Sequence, residues 1–303
     1  MPTQFLTTLT KENAHADGIW SAAWSSKNQL VTGSLDNTVK VWNADNGELT
    51  GTLTGHHLGV NSVDTNVEGT LAVSTSLDSQ IRIWDLEKLK AHKVIDAGSV
   101  QAWTAKFSPD SKHIATGSSS GDINQYNVET GEKVQTFEGR GKFSMCVAYS
   151  PNGEYVACGT EASSDSATVL LFDVATGKLR STFKGHALTV RSIAFSADST
   201  KLVTGSDDKR IMIHDAVHGD TIRTLSGHSA WVLSVAVSSD GVHVASGSSD
   251  SKVKLWDLVA DQCIDTMDGH NDQVWGLAWN KQGNKFASAS DDKSIKYYST
   301  TSA

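Results

Sequence analysis

His228, Ser246 and Asp250 are the ingredients of a hydrolase triad, and the same residue types stand together four more times: His15, Thr32 and Asp36; His56, Ser74 and Asp78; His186, Thr204 and Asp208; His270, Ser288 and Asp292. A nucleophilic triad needs a hydroxyl, an imidazole that takes its proton and a carboxylate that orients the ring. Imidazoles with carboxylates are also the raw material of metal sites. Neither chemistry explains the repetition. A catalytic constellation has no reason to recur at fixed intervals in one chain, whereas a buried hydrogen-bond network recurs wherever the turn it serves recurs. Trp42, Trp84 and Trp256 complete three of the sets. Outside the repeat the sequence shows no glycine-rich phosphate loop, no metal-ligand spacing and no further His, Ser and Asp set, so an enzyme, a metal and a cofactor are not expected.

The elements that must position these sets follow from the period. The stretches GSLDNTVKVWN (33–43), TSLDSQIRIWD (75–85), GSDDKRIMIHD (205–215), GSSDSKVKLWD (247–257) and ASDDKSIKYYS (289–299) are versions of one unit. Their tenth column is a ring in every copy, and weaker copies supply Tyr126 and Phe172. Seven copies spaced by 42 residues, with one spacing of 46, account for almost the whole chain. Within a copy, runs such as WVLSVAV, VHVASGS, KVKLWDL and CIDTM are β-branched and aromatic and are separated by turn compositions. Four strands per repeat is the make-up of a propeller blade. The expected fold is all-β: a single seven-bladed propeller over residues 1–303, with the N-terminal strand QFLTTLT completing the last blade.

At this point the chain resembles the WD-repeat family over essentially its full length. The carriers are Gly55-His56, Gly185-His186, Gly227-His228 and Gly269-His270 with the endings Trp84-Asp85 and Trp256-Asp257. The resemblance implies that a loop His, a turn Asp, a strand Ser or Thr and a strand Trp are hydrogen-bonded in each regular blade. Blade five carries His214 and blade seven Tyr298 in the Trp place. Blade three has Gly98, Ser120 and Tyr126 for His, Asp and Trp, and blade four has Arg140, Cys158 and Phe172 for His, Ser and Trp. These two are expected to be the least regular. His214 is expected to be a packed ring, since no second ligand is spaced to join it.

Composition narrows the partners. Lys plus Arg is 26 against 34 for Asp plus Glu, a net charge of -8, which argues against direct nucleic-acid binding. No apolar run reaches the roughly 18 residues a membrane span needs, and the N-terminus does not read as a secretion signal. Cys146, Cys158 and Cys263 show no paired spacing and are expected to be reduced thiols. A monomeric propeller inside the cell, assembled with other proteins, is the expectation.

Columns that vary between copies are where such a frame can carry a function. The fifth residue after the His place is Trp20, Asn61, Trp103, Met145, Arg191, Leu233 or Trp275, and the third is Gly18, Gly59, Gln101, Phe143, Thr189, Trp231 or Gln273. Two residues apart on an extended segment, both columns should face one side, at one rim of the central channel. The residue before each turn Asp adds Leu35, Leu77, Asp207, Ser249 and Asp291. The expected partner face is Trp20, Leu35, Leu77, Trp103, Phe143, Met145, Arg191, Asp207, Trp231, Leu233, Trp275 and Asp291, with Asp207 or Asp291 free to accept from a partner arginine. Filling gaps between blades is the competing role for any single tryptophan.

AHADGIWSAAW, IDAGSVQAWTAKFSPDS, RGKF, SGHSAWVLSVA and HNDQVWGLAW together resemble the small WD-repeat subunits of Ski (superkiller) complexes. That resemblance implies a non-enzymatic adaptor joining a tetratricopeptide-repeat scaffold subunit and the Ski RNA helicase in cytoplasmic, exosome-mediated mRNA decay. In animals it also implies a nuclear place in the RNA polymerase II-associated factor complex, in transcription elongation and histone modification. It further implies recognition of a short partner segment holding an Arg and an apolar residue. The alternative is a propeller that reads histone tails or delivers substrates to a ubiquitin ligase.

Overall fold

A computed structural model describes residues 5–99, 102–162 and 167–300. Every described strand belongs to one of seven four-stranded antiparallel sheets, and the described residues contain no helix. In blade one the strands run from the channel outwards as Ile19–Trp24, Gln29–Ser34, Val39–Asn43 and Leu49–Leu53. The burial follows the composition. The second strand is buried along nearly its whole length, while the outermost, LTGTL, is mostly exposed. Blade cores are built from adjacent sheets: Val31, Val39, Val41 and Leu53 of blade one pack with Val60, Val63 and Trp84 of blade two.

Each regular blade turns between its second and third strands at the Asp of the network. The next residue has a positive φ although it is not glycine: Asn37 at 70°, Ser79 at 68°, Lys209 at 71°, Ser251 at 65° and Lys293 at 68°. That conformation is disfavoured for a side chain with a Cβ. The Asp carboxylate compensates by accepting the backbone N–H two residues on, at 3.0 Å in Asp36–Thr38 and 3.1 Å in Asp250–Lys252. Where neighbouring sheets meet, small residues on the second strand make room: a Cβ on Gly33 would come 2.7 Å from the Val60 methyl of the next blade.

The ring closes as the sequence pattern predicts. Phe5–Lys11 pairs antiparallel with Ile295–Thr300 and becomes the outermost strand of blade seven. Phe5 is buried there against Trp279 and Phe286, with ring centroids at 5.4 Å and 5.6 Å. Blade three departs from the rest, with an innermost strand of four residues, Thr104–Phe107, against six in its neighbours, whereas the four strands of blade four have the lengths of those in blade one. Gln101 and the 163–166 part of the blade-four insertion lie outside the described residues.

Candidate functional site: the channel mouth

All five sets close into networks. In blade six His228 Nδ1 lies 2.9 Å from Asp250 Oδ2 and Nε2 lies 2.8 Å from Ser246 Oγ, while Trp256 Nε1 donates to the same Oγ at 2.8 Å. His15 with Thr32, Asp36 and Trp42 repeats this at 2.8, 2.9 and 2.9 Å. His56 with Ser74, Asp78 and Trp84 does so at 2.7, 3.0 and 2.8 Å. A carboxylate can only accept, so Nδ1 carries the proton and Nε2 receives the hydroxyl's. Burial holds His15 and His56 below the ordinary histidine value even though Asp36 and Asp78 pull the other way, so both rings are neutral at pH 7. Burial alone would raise Asp36 and Asp250, but the hydrogen bonds from His15 and Thr38, and from His228, prevail and hold both carboxyls well below their usual range. Ser246 and Ser74 are fully buried and each is capped by an indole, which leaves no path for a substrate to the hydroxyl.

The substituted blades keep the bond that matters. His214 Nε2 lies 3.1 Å from Thr204 Oγ1, which also meets His186 Nε2 at 2.8 Å with Asp208 beyond it at 2.9 Å. Burial lowers His214 to about 3, so it too is a neutral, packed ring. Tyr298 Oη reaches Ser288 Oγ at 3.1 Å, and His270 joins that hydroxyl to Asp292 at 2.7 and 2.9 Å. In blade three Ser118, Ser120 and Asp122 form a different chain, which ends by accepting the Gly139 N–H at 2.8 Å. In blade four Cys158 is fully buried and its thiol is pushed up to about 11.

The fifth column converges. Trp20, Asn61, Trp103, Met145, Arg191, Leu233 and Trp275, one from each blade, all line a single cavity of about 330 Å³ at one mouth of the channel. The local cause is a β-bulge. Pairing between the two inner strands skips from Ile19 to Ser21, Val60 to Ser62, Ser144 to Cys146, Val190 to Ser192, Val232 to Ser234 and Val274 to Gly276. The skipped residue is the fifth-column one in all six. An unpaired bulge residue is free to aim its side chain out of the sheet's alternation. The expectation that third and fifth columns face alike is therefore corrected: the described third-column residues are absent from the cavity lining, and Trp231 stands on the outer rim, 46% exposed. Leu233 lines the cavity yet is only 3% exposed, which makes it a wall rather than a contact.

Neither expected acid is free. Asp207 is buried and gripped by Arg191, with Nε at 2.9 Å from Oδ1 and Nη2 at 2.8 Å from Oδ2, and the guanidinium lies 5.8 Å from the Trp231 ring centre. Asp291 accepts the Trp20 indole N–H on Oδ1 and the Trp275 indole N–H on Oδ2, both at 2.9 Å. The Arg191 and Trp275 bonds link the inner strand of a blade to the turn of the same blade 16 residues on, and the Trp20 bond joins blade one to blade seven across 271 residues, so residue types alone did not reveal them. Trp103 and Phe143 meet edge to face at 5.4 Å across blades three and four. Leu77 is 46% exposed and Leu35 is half-buried over Gly59, so an apolar rim does lie on the first two blades.

Sequence reasoning missed the opposite mouth. There Trp24, Phe107, Tyr149, Phe195 and Trp279 line a wider cavity of about 660 Å³. They occupy the ninth place after the His position, and that column's aromatic bias was a readable signal.

The chain matches the WD domain, G-beta repeat family at seven successive segments, residues 4–43, 47–85, 86–127, 131–173, 177–215, 219–257 and 261–299. It belongs to that family, as a seven-bladed interaction propeller. It is 41% identical over 212 residues to the WD repeat-containing protein SL1-17 of Schistosoma mansoni, spanning 68% of this chain and 69% of that one. It is 38% identical over 204 residues to the WD repeat-containing protein VIP3 of Arabidopsis thaliana, 61% and 62% of the two chains. A further relative is the meiotic recombination protein rec14 of Schizosaccharomyces pombe, 32% identical over 217 residues and 69% of each chain.

Proposed function

We propose that this protein is a non-enzymatic adaptor subunit of the Ski complex that captures partner segments at the channel mouth and also serves the RNA polymerase II-associated factor complex. The observation that carries the reading is the convergence of all seven fifth-column side chains, three of them tryptophans, on one concave site with Trp231 exposed beside it. Concave sites walled by aromatics with a few polar groups are the usual form of a recognition pocket, and Trp and Arg dominate binding hot spots. The Ski assignment rests on the resemblance of the stretches quoted above, and the tetratricopeptide-repeat subunit and the RNA helicase are its proposed partners. Work in both cytoplasm and nucleus follows from that assignment. A relative named for meiotic recombination is in keeping with a frame of this kind serving more than one process.

Affinity purification with mass spectrometry tests the reading. Recovery of the tetratricopeptide-repeat subunit and helicase with the wild type, and their loss with Trp231→Ala and Trp103→Ala, is the expected outcome. Recovery of cullin-type components instead would replace it with the ubiquitin-ligase alternative.

A further inference from the structure

We propose that Asp291 is a positioning residue that fastens Trp20 of blade one and Trp275 of blade seven into one rigid indole slab at the channel mouth, and that Gly18 is what admits it. The two rings are stacked, with centroids 4.9 Å apart and planes 22° from parallel. Each gives its N–H to a different oxygen of the same carboxylate. Stacked rings alone can slide and flip, whereas a two-point bridge fixes their offset and tilt.

The space for that bridge is as specific as the bonds. A Cβ on Gly18 would sit 2.3 Å from Asp291 Oδ1. The backbone at Gly18 has no positive φ, so glycine stands there for room rather than for conformation. The equivalent residues one blade on show the bare geometry: Leu35 lies over Gly59, 2.7 Å from where a Cβ would be, with no indole to hold. Only at the closing seam is the overlying residue an acid that reaches two tryptophans.

Among the described residues Asp291 has no cationic partner, in contrast to Asp207 with Arg191. Burial raises its carboxyl, the two indole bonds oppose the rise, and the nearby charges of Asp272 and Asp17 add to it. The groups facing it are thus Trp20, Trp275, Gly18, Asp17 and Asp272. Keeping an unpaired, half-buried carboxylate is unfavourable for folding alone, and a residue that violates stability rules is expected where it serves a site. Preorganised rings lose less entropy on meeting a partner. That last step rests on the proposed function; the geometry does not.

Circular dichroism separates the two. Stacked indoles give an exciton couplet, which should vanish in Trp20→Phe and Trp275→Phe and persist in Trp103→Phe. Asp291→Ala and Gly18→Ala perturb the bridge from opposite sides, and both should lose the couplet while still melting cooperatively. Asp291→Asn, which keeps one acceptor, guards against a variant that does not fold and should weaken the couplet without abolishing it. Acidification should weaken the wild-type couplet and leave that of Asp291→Asn unchanged. A couplet that survives intact in Asp291→Ala and Gly18→Ala, or one that ignores Trp20→Phe, overturns the proposal. Binding to the tetratricopeptide-repeat subunit should fall about tenfold with Asp291→Ala; a lost couplet with undiminished binding would uphold the positioning role and remove this face as the partner site.

Discussion

Arg191 holds Asp207 at two points and carries Trp231 on its outer face, so an acid, a cation and an exposed indole form one stack on blades five and six. The guanidinium is planar and its fork matches the carboxylate, a geometry that lysine does not reproduce. Arg191→Ala leaves the Asp207 carboxylate buried without its partner and should destabilise the fold by roughly 1 to 3 kcal/mol. Urea unfolding should show the Arg191→Ala/Asp207→Ala double variant recovering part of that loss. Strictly additive effects would mean the pair is not coupled.

Trp231 and Leu233 are two residues apart and answer to different assays. Trp231→Ala removes a rim side chain and should shift stability by no more than about 0.5 kcal/mol. Leu233→Ala opens a cavity in a buried wall and should cost about 2 to 5 kcal/mol. If the proposed face is correct, the first variant folds and fails in pull-downs, while the second shows a lowered melting temperature. Equal melting temperatures would contradict the burial of Leu233.

The networks are tested at Asp250. Its carboxylate accepts from His228, from the Ser229 N–H at 2.9 Å and from the Lys252 N–H of a left-handed turn at Ser251. Asp250→Ala should lose on the order of 1 to 3 kcal/mol as these donors are left unpaired. Unchanged thermal unfolding would remove the structural assignment.

Acid should weaken the ring in a defined order. His15, His56 and His214 titrate lower in the fold than in the unfolded chain, so the unfolded state binds more protons and stability falls as pH drops from about 6.5. The carboxylates Asp36, Asp78, Asp208, Asp250 and Asp292 are also held low, so a second loss follows as pH falls through about 4 and below. Asp291 is raised and contributes with the opposite sign. Urea midpoints flat from pH 7 to about 5 would contradict the neutral, buried histidines.

The repeat period, the blade count and the closing strand were legible because each residue type recurs with its environment: Ser74, Ser246 and Thr32 read as one position. The convergence of the fifth column was legible too, since Trp, Met and Arg in one column have no common packing role. What could not be read was the direction of Trp231 relative to Leu233, because a bulge of one residue breaks the two-residue alternation on which that reading depended. The partners of Asp207 and Asp291 were equally hidden. One contact, Arg191, comes from the same blade 16 residues away and another, Trp20, from the neighbouring blade 271 residues away, and no local pattern reports either.

The pairing of Phe5–Lys11 with Ile295–Thr300 also sets a schedule. During synthesis, the first strand emerges with its partner strand still about 290 residues from being translated, and blades one to six can each form their own sheets before the seventh has a fourth strand. Until then the N-terminal strand waits unpaired, an edge open to mispairing with another nascent chain. Closure is therefore a last, long-range event that local folding cannot hasten. The Trp20–Asp291–Trp275 seam is complete only after it, so a recognition face built across that seam exists only on chains that have closed their ring.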